Sequence, residues 1–185
     1  MRKLRAVYFI SLDGVVESPD KWHFPYFNDD MGAVIGGVMT EADAVLMGKT
    51  NFLDWQGYWP GVSAEEDPFA GFVNNVKKYV VSSTLESVTW NNTEILRGGA
   101  DLATEINQIK AQPGKAIYVQ GSATLVRALL REGLVDELVL LQHPIVVGSG
   151  QRLFDDFGKQ VPLKLTESAT FDTGVLALTY TPADN

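Results

Sequence analysis

Three stretches of this chain repeat one pattern, in which an apolar strand runs through a small or polar turn into a helix. They are residues 44–50, 78–84 and 116–124. Such a pattern commits a chain to strands and helices alternating around a parallel sheet. It also puts free backbone N–H groups and hydroxyls at the carboxyl ends of strands, where helix N-termini attract phosphate. Repeated three times within 185 residues, one copy carrying Lys49, it makes a dinucleotide the first ligand to consider.

The rest of the chain extends the pattern. Residues 4–12 read as a buried first strand, turned at 11–14. A loop over 18–27 carries Pro19, Pro25, Trp22 and three more aromatics. Met31, Val34, Ile35, Val38 and Met39 follow at helical spacing, with Asn28 or Asp29 as N-cap. Phe69, Phe72, Val73 and Val76 mark a further helix, and Asp101 is placed to cap one that buries Leu102, Ile106 and Ile109. The last third changes character: strands over 163–171 and 175–181 meet at Asp172, Thr173 and Gly174, a hairpin signal. The expected fold is one α/β domain over residues 1–185. Its sheet is mixed and mostly parallel, flanked by helices, and ends in an antiparallel C-terminal hairpin.

Composition narrows the chemistry. A net charge of -8 and no cluster of Lys and Arg argue against nucleic acid as a partner. The chain has no Cys, which removes disulfides, thiol nucleophiles and cysteine-held zinc. His23 and His143 are its only histidines and lie in no metal-binding spacing, so no metal site is expected. The apolar run after the basic N-terminus is broken at Ser11 and Asp13, too short for a leader or a membrane span. A cytoplasmic protein with a small-molecule substrate is the expectation.

Gly48, Lys49 and Thr50 lack the glycine five residues earlier that a triphosphate loop needs; Asp43 stands there. What remains is a tight turn, a cation for a phosphate and a hydroxyl at a helix start, or simply a solvated Lys beside a capping Thr. Ser82 and Ser83 offer hydroxyls to an adenine ribose or its 2′-phosphate, or form an ordinary turn. Gly121, Ser122, Ala123 and Thr124 fit a pyrophosphate at a helix N-terminus, or a Ser-capped helix. Asp13, ahead of Gly14, suits either a proton relay or a turn. Asp29 and Asp30 start a helix beside Trp22, Phe24 and Phe27, where a carboxylate can grip the N–H edge of a heterocycle or cap the helix. Trp55, Tyr58 and Trp59 read as packing.

In their order along the chain these segments resemble the dihydrofolate-reductase-like superfamily. They are most similar to free-standing relatives of the reductase domain in bifunctional riboflavin-biosynthesis deaminase-reductases. The likeness is carried by 11–14, 47–50, 81–83, 121–125, 134–137 and 144–150, followed by Leu153 and Phe154. It implies NADPH as hydride donor and often a homodimer. It also implies Gly48, Lys49 and Thr50 at the adenosine phosphates, Ser82 and Ser83 on the ribose side, and Gly121 to Thr124 at the pyrophosphate. Asp13 and the Trp22 loop with Phe27 would lie near nicotinamide and substrate. The implied activity resembles 5-amino-6-(5-phosphoribosylamino)uracil reductase of riboflavin biosynthesis, with bound water or a carboxylate, Asp13 first, then Asp30 or Asp29, as proton source. The zinc deaminase step has no cysteine ligands here, and no evident Arg group awaits a substrate phosphate. The alternatives are a dihydrofolate reductase and a dinucleotide-binding protein without turnover.

Overall fold

A computed structural model of the chain describes residues 1–183. Its strands are β1 (Leu4–Ser11), β2 (Ala42–Gly48), β3 (Lys77–Val81), β4 (Thr93–Leu96), β5 (Ala116–Val119), β6 (Glu137–His143), β7 (Leu163–Thr170) and β8 (Leu176–Pro182). Its helices are α1 (Asp29–Glu41), α2 (Lys49–Tyr58), α3 (Pro68–Asn75), α4 (Leu102–Ala111) and α5 (Ala123–Arg131). All eight strands form one sheet in the order β4-β3-β2-β5-β1-β6-β8-β7. The first six run parallel, whereas β8 pairs antiparallel with both β6 and β7.

Strand side chains alternate between two apolar layers, which is why the central strands read as unbroken hydrophobic runs. Leu4, Ala6, Tyr8 and Ile10 of β1 face the layer under α4 and α5, with Ile106, Val126 and Leu129. Val7 faces the opposite layer, under α1, α2 and α3, with Val38, Phe52 and Val73. A third group on that second face joins Met31 of α1 to Leu141, Phe171 and Val175, with Phe9 packed against it. Trp55 and Trp59 pack on the second layer as expected, whereas Tyr58 is exposed.

Asn28 caps α1 by accepting from the Met31 N–H at 3.1 Å. Asp101 makes no side-chain cap on α4, contrary to expectation. Glu105 instead takes the N–H groups of Arg97 and Gly98, both at 2.8 Å, and ties α4 to the end of β4. Among the described residues no helix is long and apolar enough to cross a membrane.

Candidate functional site

Parallel strands end on the same edge of a sheet, and a crevice opens there where neighbouring strands send their helices to opposite faces. β1 and β5 are such neighbours. β1 leads to α1 on one face and β5 to α5 on the other. The turns after β2, β3, β4, β5 and β1 therefore line one edge, with the crevice between the last two.

The ends of β2 and β5 are locked together there. Gly48 N–H donates to the Gly121 carbonyl at 3.1 Å, and Gln120 N–H to the Leu46 carbonyl at 3.1 Å. Asn51, in the first turn of α2, donates its amide to the Gln120 carbonyl at 2.6 Å. A Cβ on Gly48 would come within 2.8 Å of Ser122 Oγ and 3.3 Å of Ser122 N, so any side chain there would push Ser122 away. Gly121 has φ 60°, a left-handed conformation suited to glycine. Ser122 caps α5, its Oγ accepting the Leu125 N–H at 3.3 Å. The N–H groups of Ala123 and Thr124 remain as the open donors of the first turn. Arg127, one turn on, donates to Thr124 Oγ1 at 3.4 Å, and its charge lies close to the buried Tyr8 hydroxyl below Gly121.

The turn after β3 carries two cations. Ser82 is buried, and its Oγ accepts the N–H groups of Thr84 (3.2 Å) and Leu85 (2.9 Å), leaving its O–H to donate. Lys49 Nζ donates to Thr84 Oγ1 at 2.8 Å. Arg97, just past β4, donates to the Leu85 carbonyl at 2.8 Å. Lys49, Arg97, Thr50 and Ser83 are all exposed. Two cations are thus hydrogen-bonded to one hydroxyl-bearing turn in a chain of net charge -8.

Asp13 has a different part from the proton donor expected of it. Oδ1 accepts from Ser11 Oγ (2.6 Å) and Val147 N (3.0 Å), and Oδ2 from Gly148 N (2.9 Å). Arg152 Nε donates to the Asp13 carbonyl at 2.9 Å. These donors, Ser11 foremost, hold the carboxyl down at about 2, so at neutral pH it has no proton to give. Asp13 clamps the loop after β6 onto the loop after β1. Asp29 and Asp30 are both exposed in the first turn of α1. Trp22 is buried, its Nε1 donating to the Glu17 carbonyl at 3.1 Å, whereas Phe27 is half exposed over Gly32 of α1.

Four groups at this edge escaped the sequence reading: Asn51, Arg97, Arg152 and the histidine pair. Arg97 had a signal, since it closes a short predicted strand whose end must share the edge of its parallel neighbours. Arg152 had none, because only the Val15–Arg152 bridge brings it to Asp13. His23 and His143 are buried against Phe9, Trp22 and Tyr26 beside the crevice.

Residues 2–177 match the model of the RibD C-terminal domain family. The uncharacterized protein YyaP of Bacillus subtilis (strain 168) is 31% identical over 177 residues, covering 92% of this chain and 90% of that protein. A pyrimidine reductase-like protein of Corynebacterium diphtheriae is 16% identical and superposes with a TM-score of 0.70, over 100% of this chain and 93% of its own. The diaminohydroxyphosphoribosylaminopyrimidine deaminase/5-amino-6-(5-phosphoribosylamino)uracil reductase of Thermotoga maritima is 15% identical with a TM-score of 0.68, over 98% of this chain and 57% of its own. At these identities the two structures establish the shared dihydrofolate-reductase-like fold.

Proposed function

This chain belongs to the RibD C-terminal domain family, and on that premise we propose that it is an NADPH-dependent reductase of a small heterocyclic, imine-bearing substrate. The reading rests on the join of two strand ends, where Gly48 packs closely on Ser122 at the N-terminus of α5. A pyrophosphate suits the N–H groups there, with Arg127 alongside. Lys49, Arg97 and the Ser82 hydroxyl suit a ribose 2′-phosphate, the group that distinguishes NADPH from NADH. When bound, NADPH supplies the hydride.

The protein's own share is placement. The cradle fixes the dinucleotide along the edge, and the crevice between β1 and β5 orients the substrate beside it. Arg152, tied to Asp13 through Nε and partly exposed, offers its remaining N–H groups to an anionic part of the substrate. With Asp13 held as a carboxylate and Asp29 and Asp30 in solvent, the proton comes from water at the mouth of the crevice.

Titration with NADPH and NADH, followed by intrinsic Trp fluorescence, tests the reading. Saturable binding that favours NADPH is expected. Lys49→Ala and Arg97→Ala should each weaken NADPH by about tenfold and leave NADH nearly unchanged, because each removes one charged contact to the 2′-phosphate. No binding of either nucleotide at millimolar concentration would overturn it. Tight NADPH binding without turnover of any imine-bearing heterocycle would instead favour a non-catalytic nucleotide-binding protein.

A further inference from the structure

Two imidazoles lie side by side on the sheet face under α1, and nothing in the nucleotide cradle uses them. His143 ends β6 and is fully buried; His23, in the 18–27 segment, is 7% exposed. Their ring centroids are 6.2 Å apart and nearly perpendicular. His23 stacks flat on Phe9 at 4.5 Å. His143 meets Phe9, Trp22 and Tyr26 edge to face at 5.8, 5.1 and 5.6 Å. These rings seat the 18–27 segment on the sheet, and the two imidazoles are at the centre of the contact.

The hydrogen bonding fixes the form of one ring. His143 Nδ1 lies 2.8 Å from the Leu141 carbonyl oxygen. A carbonyl only accepts, so Nδ1 carries the proton and Nε2 of the neutral ring is a bare lone pair. That Nε2 is buried without a partner, and so is Nδ1 of His23. A proton added at His23 Nδ1 finds no partner there, and on His143 the backbone carbonyls of Leu141 and Ile10 favour the charge but burial outweighs them. The surrounding side chains from α1 and the hairpin, Met31, Phe171 and Val175, are apolar. The charged or titratable groups facing the pair are few. Asp20 lies on the same segment and favours a charge on His23. The Tyr26 phenol lies against His143. Asp13 is reached only through Ser11, which neighbours His143 across β1 and β6.

We propose that His23 and His143 are positioning residues for the substrate side of the site: as neutral imidazoles they seat the segment carrying Trp22 and Phe27, and a proton on either one unseats it. This rests on the proposed reductase reading only for what the segment borders; the seating itself belongs to the chain alone. Burial is the main force holding both imidazoles below their usual 6.5, helped for His23 by the neighbouring ring. A segment lifted into water takes up a proton near the usual value. Seating is therefore complete above about pH 6.5 and is lost as pH falls below it.

The test uses the full chain without nucleotide, from about pH 8 to about pH 4.5. Trp22 emission is read as the difference between the wild type and Trp22→Phe, alongside amide exchange over residues 18–27. A transition below pH 6.5 is expected, with faster exchange confined to that segment, and the double variant His23→Gln/His143→Gln should lose it. A flat wild-type signal, or a transition that persists in the double variant, overturns the proposal. Should the double variant fail to fold, imidazole titration in the wild type by NMR decides: both rings titrating at or above 6.5 refutes it, and both well below supports it. The outcome is independent of nucleotide binding, so a failed reductase reading and a failed latch give different results.

Discussion

Gly48→Ala should weaken the proposed NADPH binding sharply while leaving the chain folded. The φ of Gly48 is -78°, open to any residue, so the cost comes from contact alone. The new methyl group would stand 2.8 Å from Ser122 Oγ and 3.3 Å from its backbone nitrogen. The hydroxyl could rotate away, but the backbone nitrogen cannot, because β2 and β5 are stitched together by the Gly48–Gly121 and Gln120–Leu46 hydrogen bonds. The two turns must part, and Ser122 then loses its hold on the Leu125 N–H. Overpacking of this kind costs about 1–3 kcal/mol, which a domain of ordinary stability survives. Nucleotide affinity should fall by about a hundredfold or more, because the first turn of α5 no longer presents its N–H groups in line. Calorimetric titration and urea unfolding measure the two effects. An unchanged dissociation constant would mean that the nucleotide lies elsewhere.

Asp13→Asn releases the loop that follows β6. An Asn keeps one acceptor oxygen and turns an NH2 group toward a backbone N–H, so at least one of the bonds to Val147 and Gly148 is lost. Amide exchange at those two residues should quicken on the order of tenfold or more, and Arg152 should lose its fixed position. In the wild type the clamp has its own pH range. The Asp13 carboxyl sits at about 2 in the folded chain against an ordinary 3.8. Its contribution to stability is complete above 3.8 and is lost as pH falls toward 2. The wild-type loop should thus resist proteolysis down to about pH 4, whereas the variant should be cut at neutral pH. Loss of turnover with unchanged exchange would restore Asp13 as a proton carrier.

The fold was legible because its strands carry their own signature. The β1 run could be placed without knowing its neighbours, and Asp172, Thr173 and Gly174 announced the hairpin. The nucleotide edge was partly legible for the same reason. Gly48, Lys49, Ser82 and Gly121 each stand at or just past the end of a strand, and parallel strands bring their ends together. Contacts that depend on register were out of reach. The Asp13–Gly14 pair reads locally as a turn, whereas the partners that decide its chemistry, Val147 and Gly148, lie beyond residue 140. His23 and His143 looked like isolated residues because spacing carries no information about two rings joined through β1 and β6. The expected Asp101 cap is absent because a 3-10 turn over Gly99–Asp101 leads into α4 and leaves Asp101 itself in helical conformation.

The central place of β1 bears on how the protein is made. Of the eight strands β1 is made first, yet it lies between β5 and β6, and its register partners begin at Ile117 and Glu137. β2, β3 and β4 pair with one another and can assemble while β1 still waits. Until β5 emerges, the apolar side chains of Val7, Tyr8 and Phe9 have no sheet to enter. Pairings this distant are slow to form, and unpaired strand edges invite association between chains. A nascent chain stalled before residue 116 is therefore the form most in need of a chaperone, and release of the last third is the event that closes the sheet.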